Sequence, residues 1–420
     1  MAPTMAPIVA AHRVAARRTA AALATTAVLA CLTATPAVAD DGTQLASTDC
    51  QFGGNVIKGT PWSLQRVIPE QLWEGKSLKG DGVTVAVIDT GVDTKNAQLT
   101  GKVLGGKSFA KGSKPTTDGV GHGTKVAGII AASPIDGSGF HGLAPHAKIL
   151  PLQTSTAEEG GNLATMIDAI NAAVSAGVDV INISQGTTAN VSKLAPLQAA
   201  VNRAEAKGIL IVASAGNSGS SGNDSDTYPA ALDNPNVLSV AASDRNNERA
   251  PFSTPNEHVD IAAPGVDMVS TVPQGGQCVD QGTSFAAPYA AGVAALLKQK
   301  HSGWSPEQII WHLEDTASRS HAYRDNNIGW GVIDPVAAVK DATAPTEQIT
   351  NEDLQGAAGA NAGSGEKITA AKLTLGETPA ERDSRYGTYL VIGGGLAFAI
   401  IAAGAMARRD WLRRRGEDVL

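Results

Sequence analysis

Cysteine is scarce: the 420-residue chain has three. Three thiols exclude a disulfide-stapled scaffold and a four-cysteine zinc site. Positive charge is also scarce where a nucleic-acid face would need it. The formal net charge is −7, yet residues 1–39 carry three Arg and no acid, and residues 408–420 carry five Arg against three acids. The long stretch between is therefore more acidic than the whole, which excludes a basic face for nucleic acid. Charged residues make up only 17% and hydrophobic residues 43%, so the chain is not broadly disordered and has a sizeable core to bury. Glycine is plentiful instead, at 46 residues, as suits tight turns and close backbone approaches. The length suits one catalytic-sized domain with additions at its ends.

Both ends read as membrane-directed. Arg13, Arg17 and Arg18 precede an apolar Ala-rich run from Thr19 to Leu32, and Ala37-Val38-Ala39 follows. A basic start, an apolar middle and an A-x-A site make residues 1–39 a signal peptide. Val28-Leu29-Ala30-Cys31 offers a lipoprotein-type alternative, but Ala37-Val38-Ala39 is the better cleavage site. At the other end, Tyr389–Ala407 is a run of 19 residues without a charge. At about 1.5 Å per residue it spans roughly 28 Å, a bilayer core. Arg408, Arg409, Arg413, Arg414 and Arg415 lie just beyond it. Positive charge stays cytoplasmic, so residues 386–407 are expected to cross the membrane, with 408–420 inside and the body of the chain outside. Residues 341–385 lack aromatic residues and are rich in Ala, Gly, Thr and Glu, the composition of a flexible linker.

The body, residues 83–340, alternates strands and helices. Val83–Ile88, Ala147–Gln153, Val178–Ile183, Ile209–Ala213 and Val237–Ala241 are short apolar runs. Helical stretches are expected between and after them, over Gly123–Ala132, Asn162–Ala176, Leu194–Lys207, Ser284–Lys300 and Pro306–Ala317. This is an α/β fold with a mostly parallel sheet covered on both faces. Its chemistry is expected where strands end and helices begin.

Three segments there pair a reactive residue with glycine. Asp89 ends the strongest strand in Asp89-Thr90-Gly91, and His122 opens a helix in Gly121-His122-Gly123-Thr124. Ser284 opens another in Gly282-Thr283-Ser284-Phe285-Ala286-Ala287-Pro288. Alone, each has an ordinary explanation: a turn cap, a surface or core imidazole, an N-cap. Together they suggest a relay in which Ser284 attacks a carbonyl, His122 moves its proton and Asp89 holds the imidazole tautomer. Asn217, in Ala215-Gly216-Asn217-Ser218-Gly219, follows a strand and is the candidate oxyanion donor. His141, His146, His258, His301, His312 and His321 lack such a setting and are read as structural or surface residues.

The order Asp89, His122, Ser284 resembles that of the subtilisin-like serine proteases (the S8 family) rather than the chymotrypsin or α/β-hydrolase orders. Asp89–Gly91, Gly121–Thr124, Ala215–Gly219 and Gly282–Pro288 match that family's motifs in order, over about Gly82 to Val339. The resemblance implies a subtilisin-like three-layer fold, an endopeptidase with Asn217 as oxyanion donor, and no required cofactor. It also implies two substrate-binding segments, Ser184-Gln185-Gly186 and Ser214-Ala215-Gly216. Gln185 stands where Leu is common, so the pocket preference is open. Relatives often bind structural calcium; Asn223-Asp224-Ser225-Asp226 is a candidate, with an exposed polar turn the better reading and no metal assigned.

More narrowly, a signal peptide, an extension with Cys50 and Pro61-Trp62, a protease domain, a linker and an anchor resemble the mycosins. Those are membrane-anchored proteases associated with type VII secretion in actinobacteria. That resemblance implies exported protein substrates and association with a secretion membrane complex. The extension, residues 40–82, is too short to bury a core alone and is expected to wrap against the protease domain. After signal removal Cys50 and Cys278 remain, and outside the cytoplasm they are expected to pair, two separate thiols being the alternative. Two rivals stand beside the protease: a subtilisin-fold scaffold bracing a membrane complex with little proteolysis, and an esterase or transferase using the same acyl chemistry. Activity is expected to fall as His122 protonates.

Overall fold

The computed structural model describes residues 50–354, apart from 75–76, 158–161, 189–190 and 223, together with 402–409 and 411. The expected signal peptide lies outside the described residues, as does most of the expected membrane span. Residues 402–409 are helical, and among the described residues no helix is long and apolar enough to cross a membrane.

Two short helices, α1 (Trp62–Gln65) and α2 (Pro69–Leu72), precede the first strand, β1 (Thr84–Asp89). There follow β2 (Lys107–Ser108), α3 (His122–Ala131), β3 (Lys148–Gln153), α4 (Leu163–Ala176), β4 (Val180–Ile183), α5 (Ala195–Glu205), β5 (Leu210–Ser214), β6 (Val237–Ser243) and β7 (Ile261–Pro264). A hairpin, β8 (Met268–Thr271) and β9 (Gln277–Asp280), leads into α6 (Thr283–Lys300), α7 (Pro306–Asp315) and α8 (Pro335–Lys340).

β1 to β7 form one sheet in the order β2-β3-β1-β4-β5-β6-β7, with every paired neighbour parallel. The strands are apolar along their whole length because both faces are covered. On β1, Val85 and Val87 join the core under α3 and α6, while Ala86 and Ile88 join the core under α4 and α5. From β1 the chain goes to β3 on one side and later to β4 on the other, so the winding reverses there. The carboxyl end of β1 borders the crevice where such sheets hold ligands.

Helix α6 runs through the core and is buried along its length from Phe285 to Leu297. Its sequence has apolar or small residues on every side, which only a fully enclosed helix tolerates.

Residues 50–82 lie against the domain. Leu64, Val67, Leu72, Trp73 and Leu78 belong to its main core. The indole N–H groups of Trp62 and Trp73 donate to the carbonyls of Val266 and Leu143, and the Tyr289 hydroxyl donates to Ser63 O. Cys50 and Cys278 form a disulfide, with 5.5 Å between their Cα atoms. The bridge ties the start of the described chain to β9, whose other end leads to Ser284.

The first part of the expected linker, residues 341–354, also lies on the domain. Gln308 donates to Pro345 O, Gln348 donates to Glu314, and Ile349 and Leu354 pack on the main core. Its contacts are made by a backbone carbonyl and by single polar and apolar side chains, which leave little periodicity in the sequence.

Candidate active site

The site begins with Asp89. As the last residue of β1 its carboxylate is fixed by the strand, and it is fully buried. Its Oδ1 accepts from the Thr90 N–H (2.7 Å) and lies 2.8 Å from His122 Nδ1. The close approach of α3 depends on Gly123: a Cβ there would stand 2.1 Å from Gly91 O and 3.1 Å from Asp89 Oδ1.

Asp118 holds the start of α3. The residue before His122, Gly121, has no side chain to cap the helix, and Asp118 supplies the acceptors instead. Its Oδ1 accepts from Gly121 N–H (2.7 Å) and Thr90 Oγ1 (2.9 Å), and its Oδ2 from Thr124 N–H (2.8 Å) and Thr124 Oγ1 (2.7 Å). Thr90 Oγ1 in turn accepts from Gly123 N–H. One carboxylate thus links the turn after Asp89 to the helix that carries His122. Sequence reasoning passed over Asp118; the signal was an acceptor just ahead of a helix start that lacks a capping side chain.

Ser284 lies in the first turn of α6, half-buried. The helix starts one residue earlier than expected, with Gly282 at φ 149° as the N-cap, so Ser284 is not itself the cap. Pro288, four residues on, has no N–H to give the Ser284 carbonyl. Ser184 takes up that carbonyl, its Oγ donating at 2.8 Å. Phe285 brings the helix start beside the base: its ring centroid is 5.2 Å from that of His122.

Asn217 is exposed and follows β5. Its Oδ1 accepts from Thr283 N–H and Thr283 Oγ1, both at 2.9 Å. With the oxygen committed, the amide N–H₂ turns toward the Ser284 end of α6; a Cβ on Gly282 would lie 3.5 Å from Asn217 Nδ2. Thr283 Oγ1 also accepts from Gly216 N–H at 3.3 Å, so one threonine ties the Ser284 helix to both candidate loop residues.

The two candidate substrate segments leave adjacent parallel strands, β4 and β5. Gly186 is exposed and Gly216 half-buried. Ala215 is fully buried and its N–H is spent on Val240 O. The Gln185 side chain turns inward, its Oε1 accepting from Thr154 Oγ1 at 2.9 Å. Ser214 is buried at the end of β5.

The remaining histidines have other employment. His312 bonds Ala338 O from within the core, His301 stacks on Trp304, and His141 packs on Trp73 with its imidazole pushed down by burial. Near the candidate calcium segment, Tyr228 Oη donates to Asp226 Oδ2, and Asn223 lies outside the described residues. Among the described residues no group of three or more metal-ligating side chains converges. A cavity of about 610 Å³ lined by Phe109, Leu152, Asp168 and Asn171 lies beside α4, across the sheet from α3 and α6.

The subtilase family model matches residues 80–331. The chain belongs to the subtilase family. It is similar to subtilisin BL of Lederbergia lenta, 40% identical over 283 residues that make up 67% of this chain and all of that protein. Among solved structures it is similar to the MycP3 protease from the type VII (ESX-3) secretion system, at 30% identity, covering 68% of this chain and 90% of that one with a TM-score of 0.60. It is likewise similar to MycP1 from Mycobacterium smegmatis, at 28% identity, 72% and 92% coverage and a TM-score of 0.62. The subtilase chain described here is a serine endopeptidase of subtilisin-like α/β fold.

Proposed function

We propose that Ser284, His122 and Asp89 form this endopeptidase's relay, with Asn217 as oxyanion donor. The observation that carries the reading is the buried 2.8 Å contact between His122 Nδ1 and Asp89 Oδ1, beside the helix start that bears Ser284. Asp89 fixes the tautomer with the proton on Nδ1, leaving Nε2 as the base. His122 takes the Ser284 hydroxyl proton as Oγ attacks the peptide carbonyl, then gives it to the leaving amine. Water repeats the cycle on the acyl-enzyme and restores Ser284. The oxyanion is met by the Asn217 N–H₂, already oriented by Thr283, and by the positive end of the long helix α6.

The substrates are exported proteins, and the chain works alongside a type VII secretion membrane complex. Support comes from the likeness to MycP3, a protease from such a system, and to MycP1. Residues 1–39 direct export, residues 386–407 anchor the chain, and the protease domain faces away from the cytoplasm. The disulfide between Cys50 and Cys278 agrees with an oxidising compartment.

The test is cleavage of a mixed peptide library by the detergent-solubilised full chain and by its Ser284→Ala variant. Cleavage by the wild type alone, with a reproducible subsite preference, is the expected result. A folded wild type that leaves every peptide intact would move the reading to the scaffold role.

A further inference from the structure

An ion pair between a buried lysine and a half-buried aspartate sits near the candidate base without belonging to the relay. Lys125, three residues after His122, is one turn along α3, and its side chain leans back toward the helix start. It is 7% exposed, which lysine tolerates only when paired. Its partner is Asp280, the last residue of β9 and four before Ser284. The ammonium also lies 5.5 Å from the centroid of the Phe285 ring, the ring whose other neighbour is His122. Three elements meet here: the helix of the base, the strand entering the nucleophile turn, and the aromatic ring beside the nucleophile. The helix is pinned to the same hairpin a second time, where Ser270 Oγ donates to Lys125 O and Thr271 Oγ1 donates to Thr124 O.

The geometry points to Lys125 and Asp280 as a positioning pair for this protease: they hold the His122 helix and the Ser284 turn in register, and their balanced charges set the pH at which His122 becomes protonated. The inference rests on the relay proposed above. Cation and imidazole share one benzyl ring, so they lie within about 11 Å of each other, inside the range where charges act through protein. Intact, the pair presents a cation and an anion that largely cancel at His122. Removing either member leaves the other uncancelled, and the two removals act in opposite directions. The other charged groups around this helix start are Asp89 on β1, Asp93, whose N–H donates to Thr124 Oγ1, and Asp118. All three are unchanged in the variants below.

The experiment compares kcat/KM against pH for the full chain, Lys125→Met, Asp280→Asn and the double variant, with [¹³C]-histidine NMR of His122 in each. Lys125→Met leaves the Asp280 carboxylate uncancelled, favours the imidazolium, and moves the acidic limb up by about half a pH unit. Asp280→Asn leaves the ammonium uncancelled and moves the limb down by about as much. The double variant returns the limb to the wild-type position. Lys125→Met and Asp280→Asn also each lose kcat by roughly tenfold through lost register, with KM little changed, while Lys125→Arg, which keeps the cation beside Asp280, stays near the wild-type kcat. Limbs that stay fixed, or that move the same way in both single variants, would overturn the inference and leave the pair a mere fold element. The NMR titration reads the same shifts without turnover. A wild type that fails to cleave would therefore count against the relay, while the opposed shifts would still judge the pair.

Discussion

The two ends of the parallel sheet treat buried carboxylates differently. At the carboxyl ends, Asp118 is ringed by donors, Thr90 Oγ1, Gly121 N–H and both donors of Thr124, while Asp89 meets Thr90 N–H and His122 on its Oδ1. At the amino ends, half-buried Asp260 precedes β7 and buried Glu314 lies in the last turn of α7, and donors are fewer than at Asp118. Asp260 accepts from Ser239 N–H with Arg324 at 4.0 Å, and Glu314 accepts from Gln348. Burial dominates there. It pushes Asp260 up to about 7, with the Asp233 charge adding to the rise, and Glu314 in the same direction, with the Asp260 charge adding to it. A buried carboxylate whose donors reach across elements fixes geometry around a neighbour; one whose burial outweighs its donors is pushed toward the neutral form. A strongly shifted acid is therefore not by itself a sign of catalysis.

The contrast breaks most readily at the carboxyl end. Asp89→Asn is expected to lower kcat by roughly 10⁴ with KM little changed, because the imidazole loses its tautomer. A loss below tenfold in steady-state kinetics would mean that the buried pair lies outside the reaction. Asn217→Ala should cost about 10² to 10³ in kcat. A change confined to KM would make Asn217 a substrate contact and not an oxyanion donor.

Replacing Cys50 and Cys278 with serine tests how far the scaffold at that end depends on the extension. Denaturant unfolding without reductant should show a loss of about 2–5 kcal/mol. An unchanged midpoint would mean that apolar packing of residues 50–82 suffices.

The smallest effect belongs to the amino end. A carboxyl raised in the folded state adds stability that is complete below its unfolded value, about 4, and lost as pH rises to about 7. Asp260→Asn should thus raise the Tm by about 2 °C at pH 8, do nothing at pH 4, and leave kcat alone. An equal gain at both pH values would show that ionisation is not the cause.

The strands β1, β3, β4, β5 and β6 were legible because sheets buried on both faces write continuous apolar runs. β7, in Ile261-Ala262-Ala263-Pro264, is made of small residues, and the β8–β9 hairpin mixes polar and apolar ones, so neither gave a clear period. At the site, glycine-flanked motifs led to Asp89, His122 and Ser284, since reactive groups need glycine where backbones approach. The residues that hold them in place were harder to read. Ser184 stood in a candidate substrate-binding segment, yet its hydroxyl serves the carbonyl that Pro288 leaves free. Thr283 and Lys125 act through pairings that are long in sequence, and single-chain spacing carries no record of those, whereas Asp118 pairs locally ahead of a helix start.

The most direct test of the central claim is covalent. The full chain in detergent is treated with a fluorophosphonate probe at pH 8, digested, and the adduct located by mass spectrometry. The account predicts one adduct, on Ser284, lost in a folded His122→Ala variant. An adduct on another serine, or labelling of Ser284 that survives the loss of His122, would contradict it.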